Sequence, residues 1–204
     1  RHQIGTVDAV LVTGDLSDDG SPQSYERFKT LLAPLDLPLL VIPGNHDARV
    51  PMRAAFADQF TQDGPLDWVT QVGDLRIIGL DTLVEGSGKG TLSTQSLVFL
   101  KTALAVGNDT PTLLSLHHPP FRSGISFMDD IGLTNRAAFR DALTAMTLAY
   151  GKNSSLLNSW SPACWNTIMR TMDLGHGSQL LSLLLKDHWS VTNQKLTSDQ
   201  IHSL

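Results

Sequence analysis

Three short polar clusters constrain this chain more than any other feature, because each stands directly after an apolar run. Gly14-Asp15 follows residues 8–13 (DAVLVT), Gly44-Asn45-His46-Asp47 follows 39–42 (LLVI), and His117-His118 follows 112–116 (TLLSL). Runs of this length, rich in β-branched and aliphatic residues and bounded by Gly or Pro, read as buried strands. In an α/β fold the C-terminal ends of strands gather polar residues from distant segments into one site. The three clusters are therefore expected to meet.

The intervening segments agree with such a fold. Ser21-Pro22 supplies a cap and a first-turn proline, and Tyr25, Phe28, Leu31 and Leu32 then recur at helical spacing. A second helix is predicted over 51–60. Gly73-Asp74, between 68–72 and 76–80, reads as a tight hairpin turn joining antiparallel strands. Ser93 or Thr94 caps a helix running to Leu104, and Thr134 or Asn135 caps another over 133–144. Strands alternating with helices, plus one hairpin, predict an α/β domain.

Composition narrows the function. The 204 residues suit one domain, or at most one and a half, and 41% hydrophobic with 17% charged residues is a globular composition. No run approaches the roughly 20 apolar residues that span a bilayer, so no membrane partner is expected. A net charge of -5 and a pI near 5.7 argue against gripping long nucleic acid or anionic lipid by charge. A small anionic substrate stays open. Cys164 is the sole cysteine, which excludes an internal disulfide and a multi-thiolate zinc site and fits a reducing compartment. No leader follows Arg1, and the start reads as an interior cut.

Any metal must then be held by nitrogen and oxygen. Asp15, Asn45 and His117 are ligands suited to a borderline divalent ion such as zinc, manganese, iron or cobalt. A carboxylate such as Asp15 can serve two ions held roughly 3.5–4 Å apart, offsetting their repulsion. The glycines before Asp15 and Asn45 are expected to allow a sharp turn and the close approach of substrate. Each cluster also has a plainer reading. Gly-Asp is a common turn, Asn45 and Asp47 suit a turn or a helix cap before Pro51, and His117-His118 before Pro119-Pro120 suits a surface turn. Those readings leave His46 and the order of the three clusters unexplained.

Taken together, VLVTGDLSDDG, LPLLVIPGNHD, RIIGLDT over 76–82 and the HHPP segment resemble the calcineurin-like metallophosphoesterase superfamily. Within it the chain most resembles bacterial cyclic-nucleotide and glycerophosphodiester phosphodiesterases of the class III type. The resemblance covers about residues 8–145. It implies a sandwich of two mixed β-sheets flanked by helices, with a dinuclear metal site at the sheet ends. By position, Asp15 matches the bridging aspartate, Asn45 the metal-binding asparagine and His117 a ligand of the second metal. His46 matches a histidine that binds no metal but stabilises phosphoryl charge or protonates the departing alkoxide. Asp47 is left to orient His46 or to cap a helix. The implied reaction is in-line attack of metal-bound hydroxide on a cyclic nucleotide or glycerophosphodiester, in a cytoplasmic enzyme that can be oligomeric. Other readings remain open: a phosphomonoesterase or nuclease of the superfamily, or a remnant that only binds. Arg122, Met128, Asp129 and Asp130 either border the substrate or form a plain surface loop.

Two expected motifs do not stand in the chain. An Asp-x-His should precede Asp15, but His2 has no aspartate two residues before it, so the first strand is expected to be missing. For a late Gly-His-x-His the chain offers Gly175-His176-Gly177-Ser178. With three ligands kept for one ion and only Asp15 for the other, weak or single-metal binding is expected. Composition changes near the same place. Residues 1–145 carry 11 basic and 17 acidic residues, net -6, while 146–204 carry 4 and 3, net +1, with no Glu, nine of 18 serines and three of four tryptophans. We therefore divide the chain into a core, 1–145, and a divergent tail, 146–204, either frameshifted or a genuine tail in which residues 180–185 pack as a helix.

Overall fold

A computed structural model describes residues 7–106, 110–122, 124–150 and 181–185. The first apolar run forms β1 (Val7–Val12), with its last four residues buried. Ser21 then caps α1 (Pro22–Leu32) by accepting from the Ser24 N–H, Pro22 occupies the first turn, and Tyr25 and Phe28 turn inward. A short 3-10 turn, Ala33–Leu35, ends at Asp36 in the left-handed region. The chain returns as β2 (Leu39–Val41), parallel to β1 with Val10 opposite Leu39 and Val12 opposite Val41. Helix α2 covers Arg49–Ala55 and is shorter than the predicted 51–60, because Phe56 leaves helical geometry at φ -122, ψ 47.

The second sheet starts with the hairpin of β3 (Trp68–Val72) and β4 (Leu75–Leu80), antiparallel about Gly73 at φ 56. Helix α3 (Thr94–Ala105), capped by Ser93, crosses to β5 (Thr112–Leu116), which pairs parallel to β4. Helices α4 (Ser126–Asp130) and α5 (Arg136–Tyr150) follow. Strand β6 (Leu181–Leu185) lies antiparallel on β1, giving the sheet orders β2-β1-β6 and β3-β4-β5. This departs from the helix weighed for 180–185. A five-residue apolar run is ambiguous by periodicity, and the free side of β1 offers it backbone partners. Of the other expectations for the tail, Cys164 and Gly175-His176-Gly177-Ser178 lie outside the described residues, as does His2.

Two apolar clusters order the layers. One joins Tyr25 and Phe28 of α1, Val10 to Val12 of β1, Val41 of β2 and Met52 of α2 to Trp68 and Ile77 of the second sheet. The other packs Leu100 and Ala103 of α3 and Phe139 and Ala142 of α5 on Ile78 and Leu80. Ile77 and Ile78 point to opposite faces of β4, as strand alternation demands. Helices, sheet, sheet and helices therefore stack in that order, the two-sheet sandwich that the resemblance implied. Trp68 pins the sheets together: its indole N–H donates to the Val41 carbonyl at 2.8 Å, and its ring lies so close over Gly79 that a Cβ there would fall inside the indole.

That contact gives a direct test of the sandwich. Gly79→Ala should force the indole away and lower unfolding free energy by about 1–3 kcal/mol, the usual cost of overpacking. A urea midpoint unchanged from the parent chain would show that Trp68 does not sit where described.

Candidate metal centre

The three polar clusters meet at the C-terminal ends of β1, β2 and β5. Asp15 and Asn45 come from the first sheet and His117 from the second, so the site bridges the sandwich. The His117 Nδ1 lies 2.9 Å from the Thr13 carbonyl. A carbonyl only accepts, so Nδ1 carries the proton and the Nε2 lone pair is left facing the other two groups. Nε2 is 3.1 Å from the Asn45 Oδ1 and 3.6 Å from the Asp15 Oδ2. Three electron-pair donors thus point at one another. Such a trio calls for positive charge between its members, either a proton on Nε2 or a cation, and one nitrogen with two oxygens suits a borderline divalent ion. The residues present fit a metal. Among the described residues no three His, Cys, Asp or Glu side chains gather at one point, so this set depends on the Asn45 amide.

Glycine makes the convergence possible. Gly14 has φ 109 and Asp15 φ 54, both in the left-handed region, where Asp is among the few side chains that settle. A Cβ on Gly14 would strike the His117 ring, and one on Gly44 would strike the Asp15 carboxylate and backbone. The sharp turn expected at Gly14 is present in its positive φ. Both glycines also let the segments that carry the donors approach one another.

His46 stands apart from the trio. Its backbone N–H donates to the Asp15 Oδ1 at 3.1 Å, while its exposed ring has Nδ1 3.4 Å from the Asp18 carbonyl. Asp47 neither orients that ring nor caps α2, whose N-cap, Ala48, has no side-chain bond. It is buried, and it accepts from Gly44 N–H at 2.8 Å, Leu16 N–H at 3.3 Å and the Tyr25 hydroxyl at 3.0 Å. One carboxylate therefore ties the loops after β1 and β2 to each other and to α1. Burial pushes its pKa up against the pull of those donors, and burial also raises that of Tyr25.

The family model described as calcineurin-like phosphoesterase matches residues 2–145. The chain belongs to the calcineurin-like phosphoesterase family. Membership implies divalent metal ions. A probable glycerophosphodiester phosphodiesterase of Arcobacter nitrofigilis is 32% identical over 201 residues, covering 96% of this chain and 72% of the relative, so the match reaches well past residue 145. A 3',5'-cyclic adenosine monophosphate phosphodiesterase of Pseudomonas aeruginosa is 40% identical over 138 residues, 67% of this chain and 49% of the relative. A cAMP/cGMP dual specificity phosphodiesterase of Mycobacterium tuberculosis is 37% identical over 135 residues, 64% and 42%. The chain thus spans about half or less of the length of the last two.

Around this calcineurin-like centre stand residues that sequence reasoning passed over as functional. Asp81 and Thr82 follow β4 as the predicted clusters follow their strands, and that shared placement was the available signal. Asp81 is buried and holds Arg49 by two bonds, 2.7 Å from Nε and 2.9 Å from a terminal nitrogen, while accepting from the Leu66 and Leu83 N–H groups. Its own N–H donates to the Asp67 Oδ1 at 2.7 Å. His118, unlike His117, is buried, with Nδ1 2.7 Å from the Thr82 hydroxyl; burial first, and then the neighbouring His117, lower its pKa to about 4. Farther along, Arg122, Asp129 and Asp130 line a cavity of about 230 Å³ with Ser126 and Arg136, and Met128 is not among its walls.

Asp67 makes the electrostatics measurable. Burial raises its pKa from 3.8 to about 6, outweighing the bond from Asp81 N–H. Between those values the native chain holds a proton that the unfolded chain has released, so stability falls as pH rises from about 4 to about 6 and then levels. Asp67→Asn keeps an oxygen for Asp81 and removes the titration. Denaturant unfolding should show the variant losing about 1–3 kcal/mol less than the parent chain between pH 4 and pH 7. Parallel profiles for the two proteins would contradict the assignment.

Proposed function

We propose that the chain carries the metal-binding and catalytic core of a cytoplasmic phosphodiesterase for small phosphodiesters, a cyclic nucleotide or a glycerophosphodiester. Asp15, Asn45 and His117 would hold the cation, manganese, iron, zinc or cobalt, the Asp15 carboxylate could serve a second ion, and His46 would act on the substrate. The observation that carries this reading is the convergence of the His117 Nε2 with an oxygen of Asn45 and one of Asp15, while the other ring nitrogen of His117 is occupied by the Thr13 carbonyl. The printed names of the relatives supply the substrate class. The family match ends at residue 145, where the composition changes, which supports reading 1–145 as the core. Among the described residues no helix is long and apolar enough to cross a membrane.

When bound, a divalent ion here neutralises phosphoryl charge and lowers the pKa of water toward neutrality. The protein groups do the rest. The His46 N–H fixes one oxygen of Asp15 and leaves the other toward His117 and Asn45. With Nδ1 toward the Asp18 carbonyl, the exposed His46 ring keeps Nε2 for the substrate side, where it can stabilise a phosphoryl oxygen or hand a proton to the leaving alkoxide.

Hydrolysis of bis-p-nitrophenyl phosphate with added manganese tests the reading, with p-nitrophenyl phosphate as the monoester control. Asp15→Ala should abolish both metal uptake and turnover. His46→Ala should keep metal uptake and lower kcat by roughly 10² or more, the usual contribution of a general acid. Loss of metal from the His46 variant would move that residue into the ligand set. No turnover at any manganese concentration would favour the non-catalytic remnant, and preference for the monoester would favour a phosphomonoesterase.

A further inference from the structure

His117 needs one ring orientation for its Nε2 to face Asp15 and Asn45, and the Thr13 bond alone does not fix it, since a ring can tilt about a single hydrogen bond. The second restraint comes from the sheet that carries His117. The His118 ring stands edge-on to the His117 ring, with centroids 4.9 Å apart and planes at 88°. His118 is itself confined: its Nδ1 is 2.7 Å from the hydroxyl of Thr82, which is fully buried, and Gly90 lies so close to its Cγ and Nδ1 that a Cβ there would overlap the imidazole. Gly90 is in turn fixed by the Thr134 N–H donating to its carbonyl at 2.8 Å and by its pairing with Leu133.

We propose that Thr82 and His118 form a positioning pair that sets the His117 ring for the metal, rather than binding the metal or substrate. The proposal rests on the reading of Asp15, Asn45 and His117 as a metal centre. Partners behind a metal-binding histidine hold its ring and tautomer, and losing one typically weakens metal binding 10–100-fold. Here the partner acts through ring packing, because the His117 Nδ1 is already occupied by Thr13.

Thr82→Val is the test, since it keeps the shape and removes the hydroxyl, with Thr82→Ser as the conservative variant that restores it. Two readouts are taken: nitrogen chemical shifts of the His117 ring in the metal-free chain, and manganese affinity followed by the electron spin resonance of free Mn2+. We expect the parent chain to show His117 protonated on Nδ1, Thr82→Val to shift those ring signals and weaken manganese binding about 10-fold or more, and Thr82→Ser to stay within about threefold of the parent. His118→Phe, which keeps a ring of similar size but no nitrogen, should behave as Thr82→Val does and serves if that variant does not fold. Unchanged ring signals and unchanged affinity in folded Thr82→Val would overturn the proposal. So would a loss shared equally by Thr82→Ser, which would mark a packing role without the hydrogen bond. If the parent chain takes up no manganese, the metal-centre reading fails, and the ring signals still decide whether Thr82 sets His117.

Discussion

The bond from His117 Nδ1 to the Thr13 carbonyl joins groups at the ends of two different sheets, and the proposed metal centre exists only because both ends arrive together. Everything that fixes the sandwich therefore fixes the site. The Trp68 indole on the Val41 carbonyl sets how the sheets face each other three residues before Gly44, so a bond made in the core controls where the Asn45 segment emerges. Gly14 and Gly44 then remove the last steric barrier, because any side chain at either position would occupy the space of a donor group or its backbone. Packing, not the intrinsic preference of the loops, brings the donors together.

Buried carboxylates hold the loops once they have met. Asp47 gathers Leu16 N–H, Gly44 N–H and the Tyr25 hydroxyl, and Tyr25 in turn accepts from Ala48 N–H at 2.8 Å, so the start of α2 is hung on α1. Asp81 does the same across the sheets, holding Arg49 of α2 and the backbone of the loop before β3. Taking a carboxylate out of water is costly unless each oxygen is bonded, and both residues meet that condition with several donors apiece. The two braces fix opposite ends of the segment from Gly44 to Arg49, which carries Asn45 and His46. Rigidity near the site thus comes largely from bonded acids, while Asp15 keeps its Oδ2 and His117 its Nε2 turned toward the shared centre.

How much of this was legible in the sequence follows from the physics of each element. Strand ends with polar residues after apolar runs were readable, since burial and alternation leave a one-dimensional trace, and the placement of Asp15, Asn45 and His117 together rests on that trace alone. Helix caps were readable at Ser21 and Ser93 for the same local reason. Asp47 was not, because helix caps and turns use the same residue types as a carboxylate that bridges distant loops, and only the fold shows which partners arrive. The 180–185 run failed differently: its backbone pairing depends on β1, more than a hundred and sixty residues away, and no local pattern records such a partner. Asp81 was visible by position but stood alone, without the histidine or asparagine that draws notice to a strand end.

Charge explains why such a site would favour a small diester in so acidic a protein. Of the three donors only Asp15 is a carboxylate, since Asn45 offers an amide oxygen and His117 turns its Nε2 toward it. The nearby Asp81 is matched by Arg49, so its field is largely cancelled. A divalent ion bound against one carboxylate would leave the centre locally positive, and that attraction would act over a few ångströms. A singly charged phosphodiester gains it in full. A long polyanion must also bring its flanking phosphates over a surface whose net charge is -5 for the whole chain and -6 for residues 1–145, where the repulsion grows with every added charge. On the proposed reading, the same charges would draw in one phosphate and oppose a strand of them, which favours a small diester by electrostatics before any contact with the leaving group is made.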